Sequence, residues 1–299
     1  MKSRNISTNI INLFIKRKYK NKAFIILFFL FIYKFFFIQK CKIYSKDNVT
    51  LVTALFKIKS KYPLANYISW VQNLLLLNSS MVFFVDKTIL SIIKRKRPKM
   101  YENKTIWIIS SIDKFYSYKN FRNNFKESYS IDFENNIHSI PLYLVWAEKC
   151  YFIKKAIYHN YFNSECFYWI DAGYFREKEY KYINKWPSIR KCYEDPRVLI
   201  NGIRKVSEDE IEGLKNFNIS IYNNFIKRDN VAGGLFGGKP EYLINFTNLY
   251  YKAIKDFIKH RLFIGKDQNL FAYVSYLNPK IVKIINSGNW YFFKKYLFD

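Results

Sequence analysis

Residues 167–173 read Phe-Tyr-Trp-Ile-Asp-Ala-Gly, an apolar run that ends at an aspartate and two small residues. Four successive large apolar residues are typical of a strand buried inside an α/β domain. Asp171 then stands where that strand ends, and open α/β sheets bind ligands in the crevice at the carboxyl ends of strands. A carboxylate there can hold Mg²⁺ or Mn²⁺. The same residues also form an ordinary turn, so the spacing alone leaves both interpretations open.

Outward from this strand, short β-rich runs alternate with longer helical segments, the pattern of parallel strands joined by helical crossovers. The sequence therefore predicts an α/β fold with a mainly parallel sheet flanked by helices. The predicted strands cover residues 48–56, 81–85, 105–110, 167–170 and 231–238. The predicted helices cover residues 64–78, 142–156, 242–260 and 267–276, and residues 112–140 are expected to form a loop with short helices.

The composition supports one catalytic-sized domain over residues 47–299. Of the 299 residues, 50% are hydrophobic and 20% are aromatic, which excludes a disordered chain. The four cysteines form no C-x-x-C pair, so we expect buried thiols and neither a disulfide scaffold nor a structural metal site. The three histidines, His138, His159 and His260, show no metal-ligand spacing and are expected to be surface or core residues.

The formal net charge of +27 predicts attraction to polyanions such as nucleic acid, anionic lipid or phosphorylated ligands, without choosing among them. Eleven basic residues and no acidic residue lie in residues 1–46. An AT-rich coding sequence also produces the mixture of Lys, Asn, Ile, Tyr and Phe that fills the remainder. Specific nucleic-acid binding is not expected, because no RNA-binding, zinc or helix-turn-helix motif is present and the aromatics lie within apolar runs.

Residues 23–38 are almost wholly apolar and follow a basic cluster at residues 16–22. As a helix they span about 24 Å, and extension to residue 44 reaches the thickness of a bilayer core. We expect a signal anchor over about residues 23–44, with the amino terminus in the cytosol and the rest of the chain across the membrane. In a eukaryotic cell this membrane would be an endomembrane or Golgi membrane. A cleaved signal peptide and a buried soluble helix are the alternatives.

Two further motifs carry residues of chemical interest. Residues 230–238 read Asn-Val-Ala-Gly-Gly-Leu-Phe-Gly-Gly, and paired glycines allow close backbone approach to a sugar or to a neighbouring strand. They form neither a phosphate-binding loop nor a dinucleotide fingerprint. Residues 265–269 read Gly-Lys-Asp-Gln-Asn, in which Asp267 is either a helix-capping acid or a catalytic one.

Together these motifs resemble the HtrL/YibB family, whose members are related by fold to the GT-A nucleotide-sugar glycosyltransferases. The resemblance covers most of residues 49–290. It rests on residues 50–56, 73–78, 81–86, 144–149, 169–176, 231–238 and 266–268. It implies a GT-A-like, Rossmann-related catalytic domain that uses a nucleotide-sugar donor and Mn²⁺ or Mg²⁺. The acceptor would carry a hydroxyl on a glycan, a lipid-linked sugar or a protein.

The resemblance also implies roles for individual residues of the donor site. Residues of the first strand and its loop would hold the nucleotide, and the acid after the second strand would face the base or ribose: Thr53, Ala54, Phe56 and Asp86. Asp171 would take the place of the metal-binding D-x-D motif of GT-A enzymes. The sequence departs from that motif, because residue 173 is glycine and no histidine follows Asp267.

The remaining implied roles concern the sugars and the leaving diphosphate. Lys149 and Arg176 would offset diphosphate charge, and Gly173 would let the donor approach. The sugar or acceptor would be lined by Gly233, Gly234, Gly237, Gly238 and Gln268. Asp267 would be the candidate base for the acceptor hydroxyl. The alternatives are a catalytically silent anchored domain with the same fold and, less favoured, a basic nucleic-acid-binding protein.

Overall fold

The structure, a computed structural model, describes residues 46–184 and 186–298. The predicted signal anchor over residues 23–44 and Cys41 lie outside these described residues. Within them, no helix combines the length and the apolar character needed to cross a bilayer. The described residues belong to one compact unit.

A seven-stranded sheet forms the centre, in the order β3-β2-β1-β4-β6-β5-β7. Strand β6 is antiparallel to its neighbours β4 and β5, and the other pairs are parallel. This confirms the predicted α/β class and the mainly parallel sheet. The strands are β1 (Val49–Leu55), β2 (Ser80–Val85), β3 (Thr105–Ile109), β4 (Cys166–Ile170), β5 (Val198–Gly202), β6 (Val231–Gly238) and β7 (Val282–Asn286).

The chain order reverses direction across the sheet between β1 and β4. From β1 the chain proceeds outward to β2 and β3, and then returns to place β4 on the other side of β1. Every residue of β1, β2 and β4 is buried, as expected for central strands covered on both faces. Such a reversal opens a crevice at the carboxyl ends of the two strands.

Helices cover both faces of the sheet and divide the core into two clusters. On one face, the ring centroid of Phe152 lies 4.3 Å from that of Phe84 and 6.1 Å from that of Trp169. The helices are α1 (Leu64–Leu75), α2 (Leu90–Lys94), α3 (Tyr116–Ser130), α4 (Ile140–His159), α5 (Arg190–Glu194), α6 (Glu208–Lys215), α7 (Ile219–Ile226), α8 (Pro240–Lys259), α9 (Asp267–Leu277) and α10 (Phe292–Tyr296).

Helix α4, which carries Lys149, has a local sequence signal at each end. The Ser139 side chain caps its amino end by accepting a hydrogen bond from the Leu142 amide, at 3.3 Å, and a proline occupies its first turn. Asn160 ends it in the left-handed conformation, with φ of 35°. Both boundaries are thus encoded locally, and the helix extends two or three residues beyond the prediction at each end.

Residues 112–140 contain a longer helix than expected. Helix α3 is polar on average, but Phe121 and Phe125 lie one turn apart and are buried in the core. Its first turn is held by the buried Glu148, whose carboxylate accepts hydrogen bonds from the amides of Tyr116 and Ser117, each at 2.9 Å. A carboxylate from another helix therefore satisfies the first turn of α3.

The expectation of free thiols is wrong for two cysteines. Cys166 at the start of β4 forms a disulfide with Cys192 in α5, across 26 residues of sequence. The fold brings their Cα atoms within 6.5 Å, a juxtaposition that no short cysteine motif could announce. Cys150 is a buried free thiol, as expected.

Candidate active site

A cavity of about 280 Å³ lies at the carboxyl ends of β1 and β4, in the crevice where the strand order reverses. Its walls come from the segments after these two strands, from α1 and α4, and from the starts of β6 and α9. The cavity therefore occupies the position that open α/β sheets use for ligands.

Lys149 of α4 is the centre of the charged part of the cavity wall. Its ammonium lies 2.9 Å from Asp171 Oδ1, 2.8 Å from Asp267 Oδ2 and 3.1 Å from the carbonyl oxygen of Gly233. The Lys149 side chain is only 3% exposed, and that of Asp267 is 7% exposed. The Asp171 side chain is 39% exposed and faces the cavity.

The two carboxylates affect the ionisation of Lys149 more strongly than burial does. Burial by itself lowers the pKa of a lysine, but Asp171 and Asp267 outweigh it and raise the Lys149 pKa above its ordinary value. Burial raises the pKa of Asp267, even though Lys149 acts in the opposite direction. A lysine bracketed in this way keeps its positive charge at any physiological pH.

The positions of both aspartates are fixed by backbone and side-chain contacts. Asp171 Oδ1 accepts a hydrogen bond from the Trp169 indole at 2.7 Å, and the Asp171 amide donates to the Gly234 carbonyl at 2.8 Å. Asp267 begins α9, where its Oδ1 accepts from the next amide at 2.8 Å. A negative charge at a helix amino end is favoured by the helix dipole.

Gly233 and Gly234 leave room for these carboxylates. A Cβ at Gly233 would lie 3.1 Å from Asp267 Oδ2, and one at Gly234 would lie 3.2 Å from Asp171 Oδ2. Any larger residue would crowd the acids, so the glycines allow the start of β6 to approach both of them.

An aromatic wall with one arginine forms the opposite side of the cavity. The Arg176 guanidinium stacks over Trp70 at 4.6 Å and Tyr62 at 5.0 Å, measured to the ring centroids. Trp70 also fills the space beside Gly173, where an added Cβ would lie 3.0 Å from the indole Cε3. The wall therefore offers flat apolar faces next to an exposed cation.

A family model matches residues 47–298 of the chain, with the description "Bacterial protein of unknown function (HtrL_YibB)". The chain belongs to this family. A search of curated proteins finds no match to this HtrL_YibB protein. Among solved structures 42 chains match. One is core-mannan synthase A from Aspergillus fumigatus in its Mn/GDP form, with 11% identity, a TM-score of 0.45, and coverage of 80% of this chain and 73% of that one.

Most residues singled out from the HtrL_YibB sequence meet in the cavity, although they come from distant parts of the chain. The cavity lining includes predicted site residues from β1, α4, the segment after β4, β6 and α9. They are Ala54, Phe56, Lys149, Asp171, Gly173, Arg176, Gly233, Gly234, Asp267 and Gln268.

Two residues expected at the nucleotide are not part of this lining. Thr53 is fully buried within β1. Successive side chains of a strand point to opposite faces, so Thr53 does not share the face of its neighbour Ala54. Asp86 follows β2, and its Oδ1 accepts hydrogen bonds from the amide and hydroxyl of Thr88, each at 2.8 Å. That carboxylate stabilises a turn beside the neighbouring strand.

Gly237 and Gly238 also lie away from the cavity, in the second half of β6. A Cβ at Gly237 would lie 2.2 Å from Tyr168 Cδ1, and one at Gly238 would lie 2.4 Å from the Arg197 carbonyl oxygen. These two glycines allow close packing within the sheet instead of lining a sugar site.

Several lining residues were missed by the sequence reasoning. They include two lysines and a set of aromatic residues: Lys61, Tyr62, Tyr67, Trp70, Trp146, Tyr174, Lys266, Trp290 and Tyr291. Lys266 adjoins Asp267 in sequence, which could have drawn attention to it. Trp290 and Tyr291 come from the end of the chain, and no local pattern connects them with β4.

A second polar cluster lies behind Lys266. His138 Nδ1 is 2.6 Å from Asp132, Tyr143 donates a hydrogen bond to the same carboxylate, and Lys266 pairs with Glu134. Ligand atoms of Asp132, Glu134 and His138 lie within 4.8 Å of one another, close enough to hold a metal ion. Burial lowers the pKa of His138, which is a core histidine as expected. The cluster supports the cavity wall through Lys266.

Proposed function

We propose that this protein is a membrane-anchored glycosyltransferase of the GT-A type, which moves a sugar from a nucleotide-sugar donor to a hydroxyl acceptor. The observation that carries the proposal is the cavity at the strand-order reversal, with Asp171 exposed at the end of β4 beside cationic and aromatic walls. A nucleotide sugar needs flat faces for its rings and positive charge for its diphosphate, and this crevice supplies both.

The charges of the cavity suit a dianionic ligand. Four cations and two carboxylates line it, which leaves a formal excess of two positive charges: Lys61, Lys149, Arg176 and Lys266 against Asp171 and Asp267. Lys149 is already held by the acids, so the exposed cations Arg176 and Lys61 are available to the diphosphate. A guanidinium can donate two parallel hydrogen bonds to phosphate oxygens.

The reaction consists of one displacement. The acceptor hydroxyl oxygen bonds to the anomeric carbon of the donor sugar, the bond from that carbon to the diphosphate oxygen breaks, and the nucleoside diphosphate departs with the bonding electrons. Asp267 is our candidate to take the hydroxyl proton, because it lines the cavity beside Asp171 and burial raises the pKa of its carboxyl. Arg176 stabilises the charge that develops on the leaving group.

The residues present do not fit the divalent cation that a GT-A enzyme would hold at Asp171. The oxygens of Asp171, Asp267 and Gly233 that could ligate such an ion are bonded to the Lys149 ammonium. We therefore assign no step of the reaction to a bound metal.

The proposal includes a membrane anchor, the helix predicted over residues 23–44. This anchor would place the amino terminus in the cytosol and the catalytic domain across the membrane. The Cys166–Cys192 disulfide supports this orientation, because disulfides persist in oxidising compartments and are rare in the cytosol. The acceptor would then be a glycan, lipid-linked sugar or protein on that side of the membrane.

The proposal is tested by thermal shift of the full-length protein in mild detergent, against a panel of nucleotide sugars and nucleoside diphosphates. A ligand at about 100 times its Kd stabilises the native state by about 2.7 kcal/mol, which raises Tm by about 5–11 °C in a domain of this size. Product formation from the stabilising donor is then followed with candidate acceptors.

Asp171→Asn should abolish turnover while leaving the protein folded. The matched control is Asp113→Asn, which changes an exposed aspartate near the end of β3 and should retain wild-type turnover. A panel without any stabilising nucleotide would refute the proposal. A nucleotide that binds with no transfer to any acceptor would instead favour a silent domain.

A further inference from the structure

We infer that the Lys149 ammonium permanently takes the place of the divalent cation, so that donor binding at this site is independent of metal. The inference rests on the proposed function, because it concerns how the same cavity holds a nucleotide sugar. It goes beyond that proposal by assigning the metal's structural position to a side chain of the protein itself.

Carboxylate and carbonyl oxygens surround the Lys149 ammonium. Lys149 Nζ lies 2.9 and 3.2 Å from the two Asp171 oxygens, 2.8 Å from Asp267 Oδ2 and 3.1 Å from the Gly233 carbonyl oxygen. Carboxylate and carbonyl oxygens are the ligands that Mg²⁺ and related hard cations prefer. The protein thus builds an oxygen-lined cation site and fills it with an ammonium group.

A metal ion and this ammonium cannot share the site. A divalent ion bonded to the same oxygens would lie only a few ångströms from Nζ, where two positive charges repel strongly in a buried environment. Lys149 is 3% exposed and cannot swing into solvent without breaking three polar contacts.

The second acid of the D-x-D motif is also missing from this site. Residue 173 is glycine, and even a Cβ there would lie 3.0 Å from Trp70 Cε3 and 3.3 Å from Tyr67 Cδ1. Any side chain at residue 173 would therefore require these rings to shift by a few tenths of an ångström. The indole that fills this space also carries the Arg176 guanidinium on its face, at 4.6 Å.

The replacement changes the charge balance of the site. One ammonium leaves the pair of aspartates with a net charge of −1, whereas a divalent ion would neutralise them. The negative charge of the diphosphate must therefore be met by other cations of the cavity, of which Arg176 and Lys61 are exposed.

The test measures Mn²⁺ binding directly, by electron paramagnetic resonance of the full-length protein in detergent without nucleotide. Wild type should hold no Mn²⁺ that depends on Asp171. Lys149→Ala should open the oxygen site and bind Mn²⁺ at least about tenfold more tightly than wild type. Lys154→Ala is the matched control, because it removes a cation from the same helix away from the cavity and should behave as wild type.

The wild-type measurement decides the matter even if Lys149→Ala fails to fold. Wild-type Mn²⁺ binding that Asp171→Asn abolishes would overturn the inference. Binding that Glu134→Gln abolishes and Asp171→Asn leaves intact would belong to the polar cluster behind Lys266, and would leave Lys149 as the cation at Asp171.

Donor binding separates this inference from the proposed function. Equal affinity for the selected nucleotide in EDTA and in Mn²⁺ supports the inference. Affinity that requires Mn²⁺ overturns it and leaves the glycosyltransferase proposal standing. If no nucleotide binds under either condition, the proposed function fails, while the Mn²⁺ resonance of the free protein still decides whether Lys149 excludes a metal.

Discussion

Removal of the Cys166–Cys192 disulfide should lower stability by an amount that can be worked out from the closed loop. The bond joins residues 26 apart, and the chain-entropy relation gives about 3.5 kcal/mol at 25 °C for a loop of that length. In a domain of this size each kcal/mol changes Tm by about 2–4 °C, so we expect a decrease of about 7–14 °C. Both sulfurs are fully buried, so the bond forms part of the packed core.

The assay compares thermal unfolding of the full-length protein with and without reductant, for wild type and for the Cys166→Ala/Cys192→Ala variant. Reductant should lower the wild-type Tm toward that of the variant and leave the variant unchanged. A thiol count under denaturing, non-reducing conditions gives an independent measure. The chain has four cysteines, so a formed disulfide leaves two reactive thiols.

Four reactive thiols in protein recovered from its native cells would refute the reasoning, because the bond would then be absent in the cell. A wild-type Tm insensitive to reductant, in protein shown to be fully reduced, would refute the loop-closure magnitude. Two thiols together with the expected decrease would support an oxidising environment for the folded domain.

Two further predictions concern charged residues. Arg176→Gln should weaken nucleotide-sugar binding about tenfold, measured by calorimetry, because it removes the exposed cation on the aromatic wall; Lys178→Gln, an exposed neighbour, should not. Asp195 is bound by Arg197 and Lys283, which lower its pKa to about 2. The ionised Asp195 carboxylate therefore stabilises the folded protein above about pH 4, and this stabilisation is lost as the pH falls toward 2. Between these pH values, the free energy of urea unfolding should fall by about 1–2 kcal/mol less in Asp195→Asn than in wild type.

The central strands could be predicted from sequence because each is an uninterrupted apolar run. β1, β2 and β4 are buried on both faces, and continuous hydrophobicity is what such burial requires. β5 and β7 escaped the same reasoning. β5 ends in Asn-Gly, and β7 is a partly exposed edge strand that reads Val-Lys-Ile-Ile-Asn, so neither presents an apolar run. Tertiary pairing, not local preference, makes them strands.

The candidate site likewise contains residues that could be predicted from the sequence and contacts that could not. Asp171 and Asp267 were identifiable because one follows a buried strand and the other begins a helix, and both positions have local sequence patterns. No local sequence pattern predicts the ion pairs between these acids and Lys149, because the three residues lie far apart in the chain and only the packing of α4 on the sheet brings them together. The lysine was expected to face the diphosphate, and the structure shows instead that its ammonium is bonded to protein oxygens.

Glycine at residue 173 was the main sequence argument for a catalytically silent domain, and the structure weakens that argument. Trp70 occupies the space beside Gly173, and the Lys149 ammonium lies against the Asp171 oxygens that a metal ion would use. Other side chains therefore take the places of the missing acid and of its metal ion. Buried ion clusters contribute little to stability compared with apolar packing, and breaking one by removing a partner is strongly destabilising. A fold that needed only stability would gain more from apolar residues at these positions. Ionised groups gathered in the wall of a crevice are better explained by a ligand that needs their charge.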